Sequence, residues 1–207
     1  MSALTLEEVA SQFTRKFAAA APKRVDFRGE TTLTIPLAEI KTALTWCKHE
    51  LGFDYLIDIS SVDNFGEDPR FEMVYELYSM TTHLHLRVKC AVSEEEEETV
   101  PTVSDLWPTA NWHEREIYDM MGLKFVGHPD LRRILMWDGY PFFPLRKDFP
   151  LEGKVSEMPD VAFTGIAALA GGPFVTSPSS ATADRREPHA KDFEDREKHA
   201  KDFEDRG

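Results

Sequence analysis

The sequence predicts an α+β domain, with a mostly antiparallel sheet, helices packed on one face, and an extended C-terminal arm. Three observations lead there. Apolar residues at helical spacing alternate along the chain with short period-two runs, in the order helix, strands, helix, three strands, helix. Two neighbouring period-two runs carry opposite charges on their polar faces, as hairpin partners do. Beyond Leu151 both periodicities fail, and Ser, Pro, Thr and charged residues dominate.

Leu6, Val9, Ala10, Phe13 and Phe17 predict an amphipathic helix over residues 4–21, ended by Pro22. Residues 25–27 and 31–35 predict short strands about a turn at Arg28-Gly29-Glu30. Pro36 suits the first turn of a second helix over 36–51, with Gly52 as its stop. Residues 53–62 set Tyr55, Ile57 and Ile59 against Asp54, Asp58 and Ser60, a strand with its apolar set on one face. After a turn at Asn64–Pro69, Phe71, Met73, Tyr75 and Leu77 alternate with Glu72 and Glu76. Leu84, Leu86, Val88, Cys90 and Val92 alternate with His83, His85, Arg87 and Lys89, so acids of one strand can meet bases of the other. Glu94 to Glu98 reads as a solvated loop. Residues 100–107 read as the start of a helix. Asn111 caps the next one, with Glu114 where a capping-box carboxylate belongs, and that helix runs over 112–121 to stop at Gly122.

Residues 1–154 form the expected domain, 155–183 an extended arm, and 184–207 a charged tail. The tail repeats one unit, His189-Ala-Lys-Asp-Phe-Glu-Asp-Arg196 and His199-Ala-Lys-Asp-Phe-Glu-Asp-Arg206. Two copies are too few for a solenoid.

Composition excludes several functions. The net charge of −13 opposes nonspecific binding to nucleic acid and electrostatic attachment to anionic lipid. No apolar run approaches the roughly 18–20 residues that span a bilayer. The first residues lack the basic and apolar regions of a secretory signal, which makes a cytoplasmic location the default. Cys47 and Cys90 supply neither the four thiolates of an iron–sulfur cluster nor a zinc tetrad, and read as small buried hydrophobes. Neither a Gly-rich phosphate loop nor a Gly-x-Ser-x-Gly elbow is present. The expectation is a chain with no catalytic, cofactor-binding or metal residues of its own.

His83 and His85 have metal-ligand spacing on one strand face, without an evident third ligand, so a solvated or interface face is expected there. His113-Glu114-Arg115-Glu116 lacks the second His of a metalloprotease helix. His128-Pro129-Asp130 reads as a rigid turn whose side chains bond the backbone, in preference to an acid–base pair. A metal-dependent enzyme built from His83, His85, His128 and the acids of 114–119 stands as the rival reading.

The remaining signal lies in residues 111–150. They carry 6 basic and 6 acidic side chains in an otherwise acidic chain, and 8 of its 23 aromatics. Aromatic and Arg enrichment in a Pro-stiffened segment is what interface hot spots use.

The segment also carries a spaced motif: Glu114-Arg115-Glu116, Asp119, Met120-Met121, His128, Arg132 and Ile134-Leu135, followed by Pro144-Leu145-Arg146-Lys147-Asp148-Phe149-Pro150-Leu151. In these residues the chain resembles the respiratory complex I thirty-kilodalton subunit family, a component of NADH–quinone oxidoreductase, over roughly residues 5–155. Phe142-Phe143 stands where many relatives have Gly-His, so a histidine role there does not carry over. The resemblance implies a non-catalytic structural subunit in the peripheral arm of proton-translocating complex I, beside the large subunit that lines the quinone site. It implies that FMN, iron–sulfur clusters and quinone belong to other subunits, with no cofactor in this chain. It places the chain peripherally on the cytoplasmic side of the bacterial cell membrane, bound through the complex. The interface is expected at Glu114, Arg115, Glu116, Asp119, His128, Asp130, Arg132, Arg133, Arg146, Lys147 and Asp148, in buried or interfacial ion pairs. An equivalent subunit of a membrane-bound [NiFe]-hydrogenase-type complex is the alternative.

Overall fold

A computed structural model describes residues 4–94, 99–137 and 139–150. The arm and tail expected over 155–207, and the acids Glu95–Glu98, lie outside the described residues. The elements run α1 (Leu6–Lys16), β1 (Lys23–Phe27), β2 (Glu30–Thr34), α2 (Leu37–His49), β3 (Tyr55–Asp63), β4 (Phe71–Tyr78), β5 (His85–Val92), β6 (Thr99–Pro101), α3 (Ala110–Met121) and β7 (Lys124–Val126). The main sheet has the order β1-β2-β5-β4-β3, and β6 and β7 form a second, two-stranded sheet. Three of the four ladders in the main sheet are antiparallel. The β2–β5 ladder is parallel, and α2 begins the crossover that this requires.

All three helices contribute to one core cluster with one sheet face. Phe13, Ala43, Leu44 and Ile117 lie in it with Leu33, Tyr75, Leu77, Val88 and Cys90. Phe13, Phe17 and Trp46 pack edge-on or tilted at 4.9–6.2 Å between α1 and α2. The other sheet face is ionic. Lys89 meets Glu72 at 2.9 Å, and Arg87 bridges Glu76 and Glu30, as the alternating charges of these strands predict. Among the described residues no helix is long and apolar enough to cross a membrane.

Several elements depart from the sequence reading. The first helix ends at Lys16, and a 3₁₀ turn over Ala18–Ala20 follows. Ala21, just before Pro22, closes that turn as a left-handed cap at φ 47°. A capping box between Thr5 and Glu8 starts α1, with the Glu8 N–H on Thr5 Oγ1 and the Thr5 N–H on Glu8 Oε2. In β3 the expected apolar face is out of phase. A register shift between Leu56 and Asp58 buries Leu56 and Ile59 and leaves Tyr55 and Ile57 exposed. Residues 100–107 do not start a helix. Val100 pairs with Phe125 in β6–β7, and a turn closed by the Leu106 and Trp107 N–H groups on the Val103 carbonyl follows. His83 is not on β5; it sits in the preceding turn at φ 57°.

Candidate functional site

α3 is the platform. Ala110, Glu114, Ile117 and Met121 recur at helical spacing and are buried, while Trp112 and Glu116 face solvent. The helix stops at Gly122, which takes φ 83° as a left-handed cap and donates to the Tyr118 carbonyl. Residues 128–149 then return across the helix as a strap. The approach is close: a Cβ on Gly122 would stand 2.7 Å from the Phe143 ring and 2.9 Å from Arg146 Nη2.

Asp119 holds the strap on the helix. Its Oδ2 accepts three successive strap N–H groups, from Ile134, Leu135 and Met136, at 2.7–3.0 Å. Its Oδ1 accepts Arg133 Nη1 at 2.5 Å. Arg133 also donates to the Asp119, Tyr140 and Phe142 carbonyls and lies over the Tyr140 and Phe143 rings. Desolvation pushes the Asp119 carboxyl upward. The donors from Met136, Leu135, Arg133 and Ile134 outweigh it together and hold the group below the usual carboxylate range. Arg115 supports the same strap through the Arg132 and Arg133 carbonyls. Arg146 donates to the Met121 carbonyl at 2.6 Å and stacks on Phe71 and Phe143.

Glu114 is not a capping carboxylate. The helix begins one residue before Asn111, at Ala110, and Thr109 makes no side-chain cap bond. Glu114 is instead fully buried, accepting from Thr102 Oγ1 at 2.5 Å and from the Val103 N–H at 2.7 Å. Burial pushes its carboxyl up to about 7 against the pull of those two bonds. The His128 side chain is buried beside it, its Nε2 3.8 Å from Glu114 Oε2. His128 Nε2 also meets the Asn111 carbonyl at 3.2 Å, and Nδ1 accepts the Asp130 N–H. Those two bonds select the neutral tautomer with its proton on Nε2. The imidazole thus bonds the backbone as expected of the His-Pro-Asp turn, whereas the Asp130 carboxylate does not and accepts from Arg132 Nε instead.

A further node joins the strap to the sheet. Arg70, buried at the start of β4, clamps Asp63 with two bonds of 2.8 and 2.9 Å. It also donates to Glu94 at 2.7 Å and to Asp148 at 2.6 Å. The Lys147 N–H adds a bond to Asp63 Oδ2 at 2.7 Å. Arg70 holds both the Asp63 and Asp148 carboxyls below their usual range, and these acids raise the guanidinium. Sequence reasoning missed Asp63, Arg70 and Glu94 as members of this unit. Asp63 and Arg70 flank the Asn64–Pro69 turn, and that flanking position is the one local signal that pairs them.

A family model described as "Respiratory-chain NADH dehydrogenase, 30 Kd subunit" matches residues 33–155, which contain the whole platform, strap and node. The chain belongs to that family. The NADH-quinone oxidoreductase subunit designated C 2 in Rhizobium meliloti (strain 1021) is 50% identical over 134 residues, covering 65% of this chain and 69% of the relative. The one designated C in Geotalea uraniireducens (strain Rf4) is 46% identical over 142 residues, 69% of this chain and 86% of the relative. The solved trypsin-resistant fragment 1–134 of Nqo5 superimposes with a TM-score of 0.55 at 34% identity, covering 61% of this chain and 98% of that one. A chain of the membrane-bound sulfane sulfur reductase, an archaeal respiratory membrane complex, gives 0.61 at 26% identity, covering 70% and 85%. Membership in the 30-kDa subunit family makes the chain a subunit of an oxidoreductase complex.

Within this 30-kDa subunit fold the motif residues divide by role. Arg115, Asp119, His128, Arg133 and Arg146 bond inside the chain and shape the strap, and Glu114 bonds inside the chain to Thr102 and Val103. Asp148 does so through Arg70. Glu116, Asp130, Arg132 and Lys147 lie on the exposed side, and Arg132 pairs with Asp130. Exposed Trp112, Leu135 and Leu145 accompany them. His83 meets the Tyr78 hydroxyl and His85 meets Glu76, so the two histidines do not converge. Among the described residues no group of three or more His, Cys, Asp or Glu could hold a metal. Cys47 and Cys90 are buried thiols, and burial pushes Cys90 up to about 12.

Proposed function

We propose that this chain is a non-catalytic structural subunit in the peripheral arm of a proton-translocating NADH:quinone oxidoreductase, where it docks the large quinone-site subunit. One observation carries the reading. Asp119, Arg133 and Arg146 of the motif are spent on shaping the strap, and the strap's exposed residues include the apolar Leu135 and Leu145 and the basic Arg132 and Lys147. A preordered backbone displaying isolated apolar and basic anchors suits a protein partner. In this reading FMN, the iron–sulfur clusters and quinone sit in other subunits, and the chain lies on the cytoplasmic side of the bacterial cell membrane through its partners.

The test is assembly. Leu135→Glu combined with Leu145→Glu alters two exposed positions, so the purified chain keeps its melting temperature. Its recovery with the peripheral arm falls several-fold, while assembled arms turn over normally. Full assembly with lost turnover would replace this reading with a direct role in the chemistry. A second reading, the equivalent subunit of a hydrogenase-type membrane complex, is favoured by the likeness to the archaeal sulfane sulfur reductase chain. Identifying the co-purified subunits separates the two, because NADH- and flavin-binding partners select the first.

A further inference from the structure

The main sheet ends on two unlike edges. β1 has five residues, three of them charged, and its Arg24 is tied to Glu7 and Asp26. Short, charged edges resist pairing with another chain. β3 has nine residues, contains no Lys, Arg or Pro, and exposes Tyr55, Ile57 and Val62. It bonds to β4 on one side, and among the described residues no strand or side chain bonds the other side of Tyr55–Val62. The bulge blunts the start of this edge, but the register from Asp58 to Asp63 is unbroken.

α3 flanks the open edge. His113 Nδ1 meets Asp58 Oδ1 at 3.1 Å, which brings the first turns of the helix against the middle of β3. The neighbouring Trp112 is 63% exposed. Beneath it lies the Arg115 guanidinium, 5.2 Å from the ring and fixed by two strap carbonyls. An aromatic ring held on a preordered arginine is a typical anchor for a partner.

Charge decides what can lie on this edge. β3 carries only acids, and the preceding Asp54 adds another. Asp54 accepts the Met80 N–H and Asp63 is held by Arg70, whereas Asp58 is 44% exposed, met by His113 and set directly across the ladder from Glu76, whose own charge is taken up by Arg87 and His85. A second copy of the chain would bring the same acidic strand, on a molecule of net charge −13, against this one. A strand with basic residues fits.

We propose that the open edge of β3 receives an extended strand from a neighbouring subunit of the complex, with a Lys or Arg facing Asp58 and an apolar side chain against Trp112. Backbone bonds along Asp58–Val62 supply the attachment, and the alternating side chains supply the register. The inference rests on the docking reading above and adds to it a second contact of a different kind.

Amide hydrogen exchange on the full-length chain, alone and in the assembled complex, tests it. The Asp58–Val62 amides that face away from β4 exchange freely in the isolated chain and slow about tenfold or more in the complex. Asp58→Lys lowers recovery of the complex several-fold without moving the melting temperature of the chain, and Trp112→Ala does the same. Unchanged exchange in an assembled complex overturns the strand addition and leaves the docking reading intact. A chain that joins no complex removes both. Slow exchange already present in the isolated chain also overturns the proposal. If that protection disappears when the chain is ended after residue 154, its own C-terminal segment covers the edge. If it grows with protein concentration, a second copy does.

Discussion

Asp119 and Glu114 are both fully buried carboxylates on α3, and their surroundings drive them in opposite directions. Asp119 gathers three backbone N–H groups and a guanidinium, a donor set that only the charged form satisfies. Asp119→Asn removes the charge opposite Arg133 and turns an amide NH₂ or a single oxygen toward those donors. The expected loss is about 3–5 kcal/mol in urea unfolding, the range for breaking one side of a buried pair. Glu114 has two donors and a raised carboxyl, near 7. Its folded form holds a proton over a range in which the unfolded chain, near 4.5, has released it. Stability from this group is therefore present below about 4.5 and is lost as pH rises toward 7. Glu114→Gln keeps the shape without the titration. The variant is expected to lose less stability than the natural chain between about pH 5 and about pH 8, by up to about 3 kcal/mol in paired urea titrations.

At the scale of elements, the strap is held by a close approach at one end and by an ionic clamp at the other. Gly122→Ala places a Cβ in the Phe143 ring at a positive φ, so both packing and backbone oppose it. The expected cost is about 1 kcal/mol or more, with faster tryptic cleavage after Arg146 and Lys147 as the strap lifts. At the other end, Arg70 and Asp148 are coupled across a half-exposed contact. A double-mutant cycle with Arg70→Gln and Asp148→Asn should give about 1 kcal/mol or less for that pair, because solvent screens it. The motif residues of this unit were legible in the sequence, as was the stop at Gly122, since each leaves a local mark. The role of Glu114 was not. A carboxylate three residues after Asn111 satisfies the capping-box spacing equally well, and only the tertiary approach of Thr102 and Val103 decides against it.

For the whole molecule, the carboxylates predict a lopsided pH profile. Asp63 and Asp119 have lowered folded values, so their stabilisation is present above the unfolded carboxylate range, near 4, and is lost as pH falls below it. Glu114 acts in the opposite sense toward 7, and the net charge of −13 adds repulsion at higher pH. Melting temperature measured across pH should peak on the acid side of neutrality, between about 4.5 and 6. The sheet itself was legible where charge and period agree, as in the Glu72–Lys89 and Glu76–Arg87 pairs. It was illegible at β3, because one bulged residue inverts the faces without altering composition. The Arg70 clamp has a further consequence in time. Its bonds to the strap join residues 78 and 84 positions apart in the sequence, from Arg70 to Asp148 and from Asp63 to Lys147. A nascent chain on the ribosome can build the core cluster long before these contacts can close. The strap therefore closes only after translation has passed Phe149, and a partner that docks on it, as proposed, must wait until then.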